Sequence, residues 1–295
     1  MRIAISGASG YIGYHLIDKL AQKNSILAIT RKKTEKLSAL CSKYADNISV
    51  CELLSDDMFL DVAKFNPDYI ISTTCCYETD SRFLEKTVDS NYTFPSLLLK
   101  CAIQNPKIGG GLVSFINIGT SLPATLNLYT LTKKQFSELG SFFAKIGKIQ
   151  FIDILLESFY GSDEPENRFI PSTIRKLLKN EDINVTKGIQ CRDYIAVEDV
   201  IDILCFLINS KIQEQVLSIS AGSGEAPSIR EIIEYLKKET NSNSTINYGA
   251  IPSRPNEPSS KANLSVLRKI GYNKEMIFWK DGMAKMIQKI KNNNF

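Results

Sequence analysis

The sequence is poor in several things, and each shortage removes a class of function. Among 295 residues there is one histidine, His15, and one tryptophan. No two cysteines form a CxxC pair and no histidine stands near any of them, so a metal site is not expected. Nowhere do 18 apolar residues run together, which excludes a membrane-spanning helix. Charge of one sign is also missing: 36 Lys+Arg against 32 Asp+Glu leaves +4, spread along the chain and not gathered into a basic arm. A dedicated nucleic-acid binder is therefore not expected, while a small anionic ligand is compatible with that balance. No internal repeat of 20–50 residues is present, which argues against solenoids and propellers.

What remains is a chain able to bury a core. Apolar residues make up 43% of it, enough to rule out general disorder. The seven cysteines are an odd number scattered through apolar stretches, and they read as reduced, mostly buried thiols. Met1-Arg2 leads straight into a strand-like run without a signal-peptide pattern, so a cytoplasmic protein is expected and N-x-Ser/Thr sequons such as those at Asn91, Asn184, Asn243 and Asn263 are taken as chance matches.

Short β-branched runs alternate with amphipathic stretches through the N-terminal half. The expected strands are Ile3–Ser6, Ile26–Thr30, Ile48–Cys51, Tyr69–Thr73, Leu112–Ile118 and Phe151–Leu155. Among the intervening helices, one is expected over Phe83–Ala102 and another from Tyr129 to Ile146. Strand, helix, strand in regular succession predicts a doubly wound parallel α/β sheet. After Gly161 the texture turns irregular and proline-marked. The expected division is a dinucleotide-binding domain from residues 1–157 and 187–221 and a smaller mixed substrate lobe from 158–186 and 222–295. The tail Lys289–Phe295 is expected to fray.

Gly7-Ala8-Ser9-Gly10-Tyr11-Ile12-Gly13 follows the first strand and opens the first helix. Glycines there let the backbone approach a pyrophosphate seated on the helix N-terminus, and the last one permits close helix–strand packing. Gly7, Ser9, Gly10, Tyr11, Ile12 and Gly13 are the expected cofactor contacts. Gly109-Gly110-Gly111, which lacks the Lys-Ser/Thr of a phosphate loop, reads as a turn. At the end of the second strand, where an acid would meet the ribose of NAD, stands Thr30-Arg31-Lys32-Lys33. Three cations without a carboxylate suit a 2′-phosphate, so NADP(H) is expected over NAD(H), with Thr30 and Arg31 as contacts and Lys32 and Lys33 as solvated residues.

Tyr129-Thr130-Leu131-Thr132-Lys133 places a phenol and an ammonium on one helix face. A nearby cation favours phenolate, and a tyrosine so tuned can carry a proton near neutral pH. With Gly7-x-x-Gly10-x-x-Gly13 and Gly119-Thr120-Ser121, this resembles the extended short-chain dehydrogenase/reductase family of nucleotide-sugar epimerases and dehydratases. The likeness continues in Asn91-Tyr92-Thr93-Phe94-Pro95, Phe159-Tyr160-Gly161, Arg168-Phe169-Ile170-Pro171, Arg192-Asp193-Tyr194-Ile195-Ala196-Val197-Glu198-Asp199-Val200 and Arg254-Pro255-Asn256-Glu257. Within the family it is most similar to reductases of nucleotide-linked 4-keto-6-deoxysugars.

The resemblance implies an enzyme in which NADPH delivers hydride to the sugar C4. Thr120 would hydrogen-bond O4, Tyr129 would protonate it, Lys133 would hold the nicotinamide ribose and tune Tyr129, and Asn91 would order a proton relay. Thr74 would touch the cofactor. Ser121, Tyr77, Arg168, Phe169, Arg192, Arg254 and Glu257 would meet the substrate, with Arg192 and Arg254 clamping the diphosphate. A homodimer through a four-helix bundle is implied too, with Leu97, Leu98, Phe136, Phe142 and Phe143 either at that interface or in the core. Thr120-Ser121-Leu122 stands where dehydratases carry Thr-Asp-Glu, which disfavours dehydration. Ser158 replaces the usual Asn and Glu257 the usual Asp. Only eight residues separate Thr120 from Tyr129, fewer than the family norm, yet they reach roughly 30 Å when extended. A 4-epimerase with bound NAD and a non-catalytic NADP-binding regulator are the competing expectations. Cys75-Cys76 reads as buried packing, a thiol acid being the alternative.

Overall fold

The computed structural model describes residues 1–53, 58–104, 111–253 and 258–292. In chain order its elements are β1 Arg2–Ser6, α1 Tyr11–Leu20, β2 Ser25–Thr30, α2 Glu35–Lys43, β3 Ile48–Glu52, α3 Met58–Phe65, β4 Tyr69–Ser72, α4 Leu84–Val88, α5 Phe94–Gln104, β5 Ser114–Ile118, α6 Leu128–Lys145, β6 Gln150–Leu156 and β7 Ser158–Tyr160. There follow α7 Phe169–Leu178, β8 Ile183–Val185, β9 Tyr194–Ala196, α8 Val197–Asn209, β10 Val216–Ala221, α9 Ile229–Thr240, β11 Ile246–Tyr248, α10 Ser265–Lys269 and α11 Trp279–Asn292.

Contacts divide the chain into two compact units, Met1–Leu155 with Ile201–Ile219, and Leu156–Val200 with Ser220–Phe295. The first carries a parallel seven-stranded sheet in the order β10-β6-β5-β4-β1-β2-β3. Nearly every residue of β1, β2, β4 and β5 is buried, as a sheet covered by helices on both faces demands. Phe115, Phe136 and Phe151 meet at ring-centroid distances of 5.7, 5.9 and 6.2 Å, tying α6 to β5 and β6. Such aromatic contacts add about 0.5–1.5 kcal/mol each beyond the area they bury. Gly140 lets α6 come this close, because a Cβ there would overlap the Phe151 ring.

The second unit has its own core, built from α7, α9, α11 and the short sheets β7·β9 and β8·β11. Residues 187–200, expected with the dinucleotide domain, belong here. Strand β9 pairs with β7, Arg192 bridges Ser260, and buried Asp193 accepts from the backbone N–H groups of Ser223, Gly224 and Ala262 at 2.6, 2.9 and 3.1 Å. The tail does not fray at Lys289. Helix α11 runs to Asn292 because Met283, Met286, Ile287 and Ile290 form a buried stripe at helical spacing, and Lys289 pairs with Asp163 at 2.9 Å.

The expected single helix Phe83–Ala102 is interrupted. A 3₁₀ turn Ser81–Phe83 leads into α4, and a π-helical turn, Asp89–Thr93, separates α4 from α5. Pro95 supplies the reason, since it has no N–H to give the carbonyl four residues back, that of Asn91. None of the seven cysteines is in a disulfide; Cys51, Cys76 and Cys101 are buried and the other four half-buried, fewer fully inside than expected. Gly109 and Gly110 lie outside the described residues.

Candidate active site

The glycine loop is shaped for a close visitor. Gly7 takes φ +71°, a left-handed conformation, and its carbonyl accepts the Gly10 N–H at 2.8 Å. A Cβ at Gly13 would sit 2.3 Å from that carbonyl, so only glycine lets α1 start directly against β1. No side chain caps the α1 N-terminus and no acid occupies its first turn. Its N–H groups and positive dipole end therefore suit an anion, and the loop fits a dinucleotide pyrophosphate. Ile12 is buried behind the loop, and Tyr11 packs edge-on to His15 at 4.8 Å. His15 is thereby a packing residue.

Ser9 and Thr30 hydrogen-bond each other at 2.9 Å, and both hydroxyls lie 2.9 Å from the Lys32 carbonyl. Thr30 is thus a buried brace of the turn after β2. Arg31, Lys32 and Lys33 are exposed beside it. Across the sheet, Thr73 donates to the Ser6 carbonyl at 2.7 Å and Thr74 to the Ser6 hydroxyl at 3.1 Å. These bonds fasten the ends of β1 and β4 together where a cofactor would lie.

Helix α6 begins with a capping box in which the Asn127 side chain accepts from the Thr130 N–H at 3.0 Å and the Thr130 hydroxyl accepts from the Asn127 N–H at 3.1 Å. The short loop before it closes with a turn, Leu126 N–H to the Pro123 carbonyl at 3.1 Å. Tyr129 is half-buried and its ring lies 5.1 Å from that of Tyr77, itself half exposed. Lys133, one turn on, is only 2% exposed. Burial holds its ammonium below the usual lysine range, while Cys75 and Asp153 act in the opposite sense.

Thr120 is buried at the end of β5, where its hydroxyl accepts from the Leu122 N–H at 3.3 Å and so keeps its own proton to give. Ser121 beside it is half-buried. Fully buried Asn91 sits on the π-helical turn. It accepts from the Cys76 N–H at 2.8 Å and donates to the Cys76 carbonyl at 2.9 Å and to Thr132 at 3.2 Å. It therefore clamps the Cys75-Cys76 segment to α6. Thr132, unremarked in the sequence, is the α6 end of that clamp.

Of the two expected diphosphate ligands, Arg192 is described and lies in the second unit. Arg192 is 9% exposed and gives an N–H to the Cys191 carbonyl at 3.2 Å. Arg168 precedes α7, pairs with buried Glu164 at 2.9 Å and lies 5.3 Å over the Phe159 ring. Phe169 packs on that unit's core. Arg254 and Glu257 lie outside the described residues. Two residues escaped the sequence reading altogether: Asn117 on β5 and Asp153 on β6, which face each other in register and hydrogen-bond at 2.8 Å. Their signal was a polar residue inside each of two otherwise apolar parallel strands.

The family model described as "NAD dependent epimerase/dehydratase family" matches residues 3–220. A CDP-abequose synthase from Salmonella typhimurium (strain LT2) is 31% identical over 98% of both chains, and one from Salmonella muenchen is 28% identical over 97% of both. Among solved structures, the UDP-glucuronic acid 4-epimerase of Bacillus cereus, in complex with UDP-glucuronic acid and NAD, superposes with a TM-score of 0.84 at 20% identity, over 99% of this chain and 100% of that one. The UDP-glucose 4-epimerase of Thermotoga maritima gives 0.82 at 17% identity over the whole of both.

Proposed function

Because the chain belongs to the NAD-dependent epimerase/dehydratase family, we propose that it reduces the C4 ketone of a nucleotide-linked 4-keto-6-deoxysugar with NADPH, in the making of deoxysugars for surface polysaccharide. The observation that carries this is the Tyr129–Lys133 pair at the start of α6, in a chain that aligns end to end with CDP-abequose synthases. When bound, the dinucleotide supplies the hydride. As negative charge grows on the ketone oxygen, Thr120 donates its hydroxyl to that atom and Tyr129 gives up its phenolic proton. The buried Lys133 ammonium lowers the cost of the phenolate left behind and would hold the nicotinamide ribose of a bound cofactor. Asn91 holds the strand end and α6 in register, so Tyr129 is presented at a fixed place. No carboxylate pair follows Thr120, so elimination of water has no acid and base to drive it.

Preference for NADPH is supported by the exposed guanidinium of Arg31 after β2 and by the absence of an acid there. In the second unit, Arg192 is the candidate partner of the nucleotide diphosphate and Arg168 a candidate substrate contact; Arg254, the second diphosphate clamp, and Glu257, a further substrate contact, lie outside the described residues. The protein is read as cytoplasmic; no helix among the described residues is long and apolar enough to cross a membrane. It is read as a homodimer, because Leu131 and Phe142 stand about three turns apart on α6 with 41% and 55% of their surface exposed, and Leu97 on α5 with 39%. Leu98 and Phe136, by contrast, are core.

The test is an assay of NADPH oxidation with nucleotide 4-keto-6-deoxysugars. Tyr129→Phe is expected to lose about 10²–10⁴ of kcat and to bind NADPH as the parent does. Retained turnover would refute the proton role. The second reading is a 4-epimerase, favoured by the 4-epimerase identity of the structural neighbours. It predicts NAD in the protein as isolated.

A further inference from the structure

The loop that joins β7 to α7 carries the acids Asp163, Glu164 and Glu166, and the fold treats them differently. Asp163 is exposed and pairs with Lys289 of α11 at 2.9 Å, and exposed Glu166 pairs with Arg175 of α7 at 2.9 Å. Surface pairs of this kind add little stability and ask for no burial. Glu164 is the exception. Its side chain is 2% exposed, and its Oε1 accepts from Nε of Arg168 at 2.9 Å. Two backbone turns make the meeting possible: the Glu164 N–H bonds the Gly161 carbonyl at 3.1 Å and the Arg168 N–H bonds the Pro165 carbonyl at 3.0 Å. The same guanidinium lies 5.3 Å over the ring of Phe159, a buried residue of β7.

A carboxylate taken out of water is costly, and burial presses Glu164 toward its neutral form, opposed by its contact with Arg168. Its second oxygen is buried and finds no donor among the described residues. A partly exposed arginine does not need so buried a partner. Arg175, with 26% of its side chain exposed, is paired by a Glu166 side chain that is 74% exposed. Stability therefore does not explain why a carboxylate is buried against Arg168. Orientation does. A free arginine loses much rotamer freedom when it captures a ligand, and a carboxylate on Nε together with a ring under the guanidinium removes part of that freedom beforehand. With Nε tied, the plane of the group is set, and 35% of the side chain stays open to solvent. A planar cation held in this way suits the paired oxygens of a phosphate.

We propose that Glu164 is the positioning residue of Arg168, its buried carboxylate acting with the Phe159 ring to hold the guanidinium in the orientation that receives the diphosphate of the nucleotide sugar. This rests on the reading of the chain as a nucleotide-sugar enzyme with Arg168 a substrate contact.

The test is calorimetric binding of CDP, UDP, dTDP and GDP to the parent, Glu164→Gln, Arg168→Ala and the double variant, beside kcat and KM for a nucleotide 4-keto-6-deoxysugar. For the tightest-bound diphosphate, Arg168→Ala should weaken binding about tenfold or more, and Glu164→Gln about three- to tenfold, since the guanidinium is then present but no longer aimed. Glu164→Gln should raise KM by a similar factor with kcat within about twofold. In the Arg168→Ala background it should change binding and KM by less than about twofold, which a general loosening of the loop would not reproduce. Phe159→Leu keeps the carboxylate and takes away the ring; it should weaken binding by less, again only where Arg168 is present, and it decides the matter if Glu164→Gln does not fold. Equal weakening with and without Arg168, or none in a folded Glu164→Gln, overturns the inference, as does an Arg168→Ala protein that binds like the parent. In each of these cases a parent that reduces the ketosugar leaves the ketoreductase reading standing. A parent that binds none of the four diphosphates and turns over no ketosugar overturns that reading first, and this inference with it.

Discussion

Arg31 is the residue on which dinucleotide choice turns. Exposed at the end of β2, it makes no hydrogen bond or ion pair with the described residues, whereas its neighbour Thr30 is fully engaged with Ser9 and the Lys32 carbonyl. A charge-assisted bond from a guanidinium to a 2′-phosphate contributes about 1.5–3 kcal/mol. Arg31→Ala should therefore raise the KM for NADPH about tenfold or more and leave that for NADH within about twofold. Equal weakening of both would show that Arg31 does not read the 2′ position. At this scale the sequence was legible where one residue type permits only one geometry. Gly7, with its positive φ, and Gly13, against the Gly7 carbonyl, were readable from the sequence as a tight strand-to-helix turn. Asp153 was not, because a single carboxylate in an apolar strand says nothing of which strand neighbour or helix will meet it.

Among the elements, α6 matters most, since Tyr129 and Lys133 share it. Its first turn depends on the reciprocal bonds between Asn127 and Thr130, made at the end of a short loop. Asn127→Ala should lower the unfolding free energy by about 1 kcal/mol in denaturant titration. It should also reduce kcat several-fold, because fraying at that end displaces the phenol first. An unchanged kcat with the stability loss present would mean that Tyr129 is held by packing, Tyr77 included, and not by the cap. Strands β1 to β6 were readable because β-branched runs alternate with helical periodicity. The π-helical turn at Asp89–Thr93 was not, since Pro95 reads equally as an early-helix residue; whether it leaves the Asn91 carbonyl inside a helix without a donor depends on where the preceding helix starts. Helix α11 hid its stripe of Met283, Met286, Ile287 and Ile290 among lysines and asparagines, whose polarity suggested a loose end.

For the molecule as a whole, the parallel sheet was legible and the place of residues 187–200 in the second unit was not. Residues 187–200 resemble the chain around them, but their partners are Pro227, Ser228 and Ser260, about 30 to 70 positions away, and such long-range pairing leaves no local mark. The reading of the entire chain as a ketoreductase reduces to where one hydride goes. The direct measurement is product NMR after turnover with NADPH deuterated at nicotinamide C4 and a nucleotide 4-keto-6-deoxysugar. The expected result is deuterium on C4 of the sugar, with one NADPH consumed for each 4-hydroxyl formed. No 4-hydroxyl formed and no NADPH consumed, together with interconversion of 4-epimers when a nucleotide 4-hydroxy sugar is supplied instead, would contradict it.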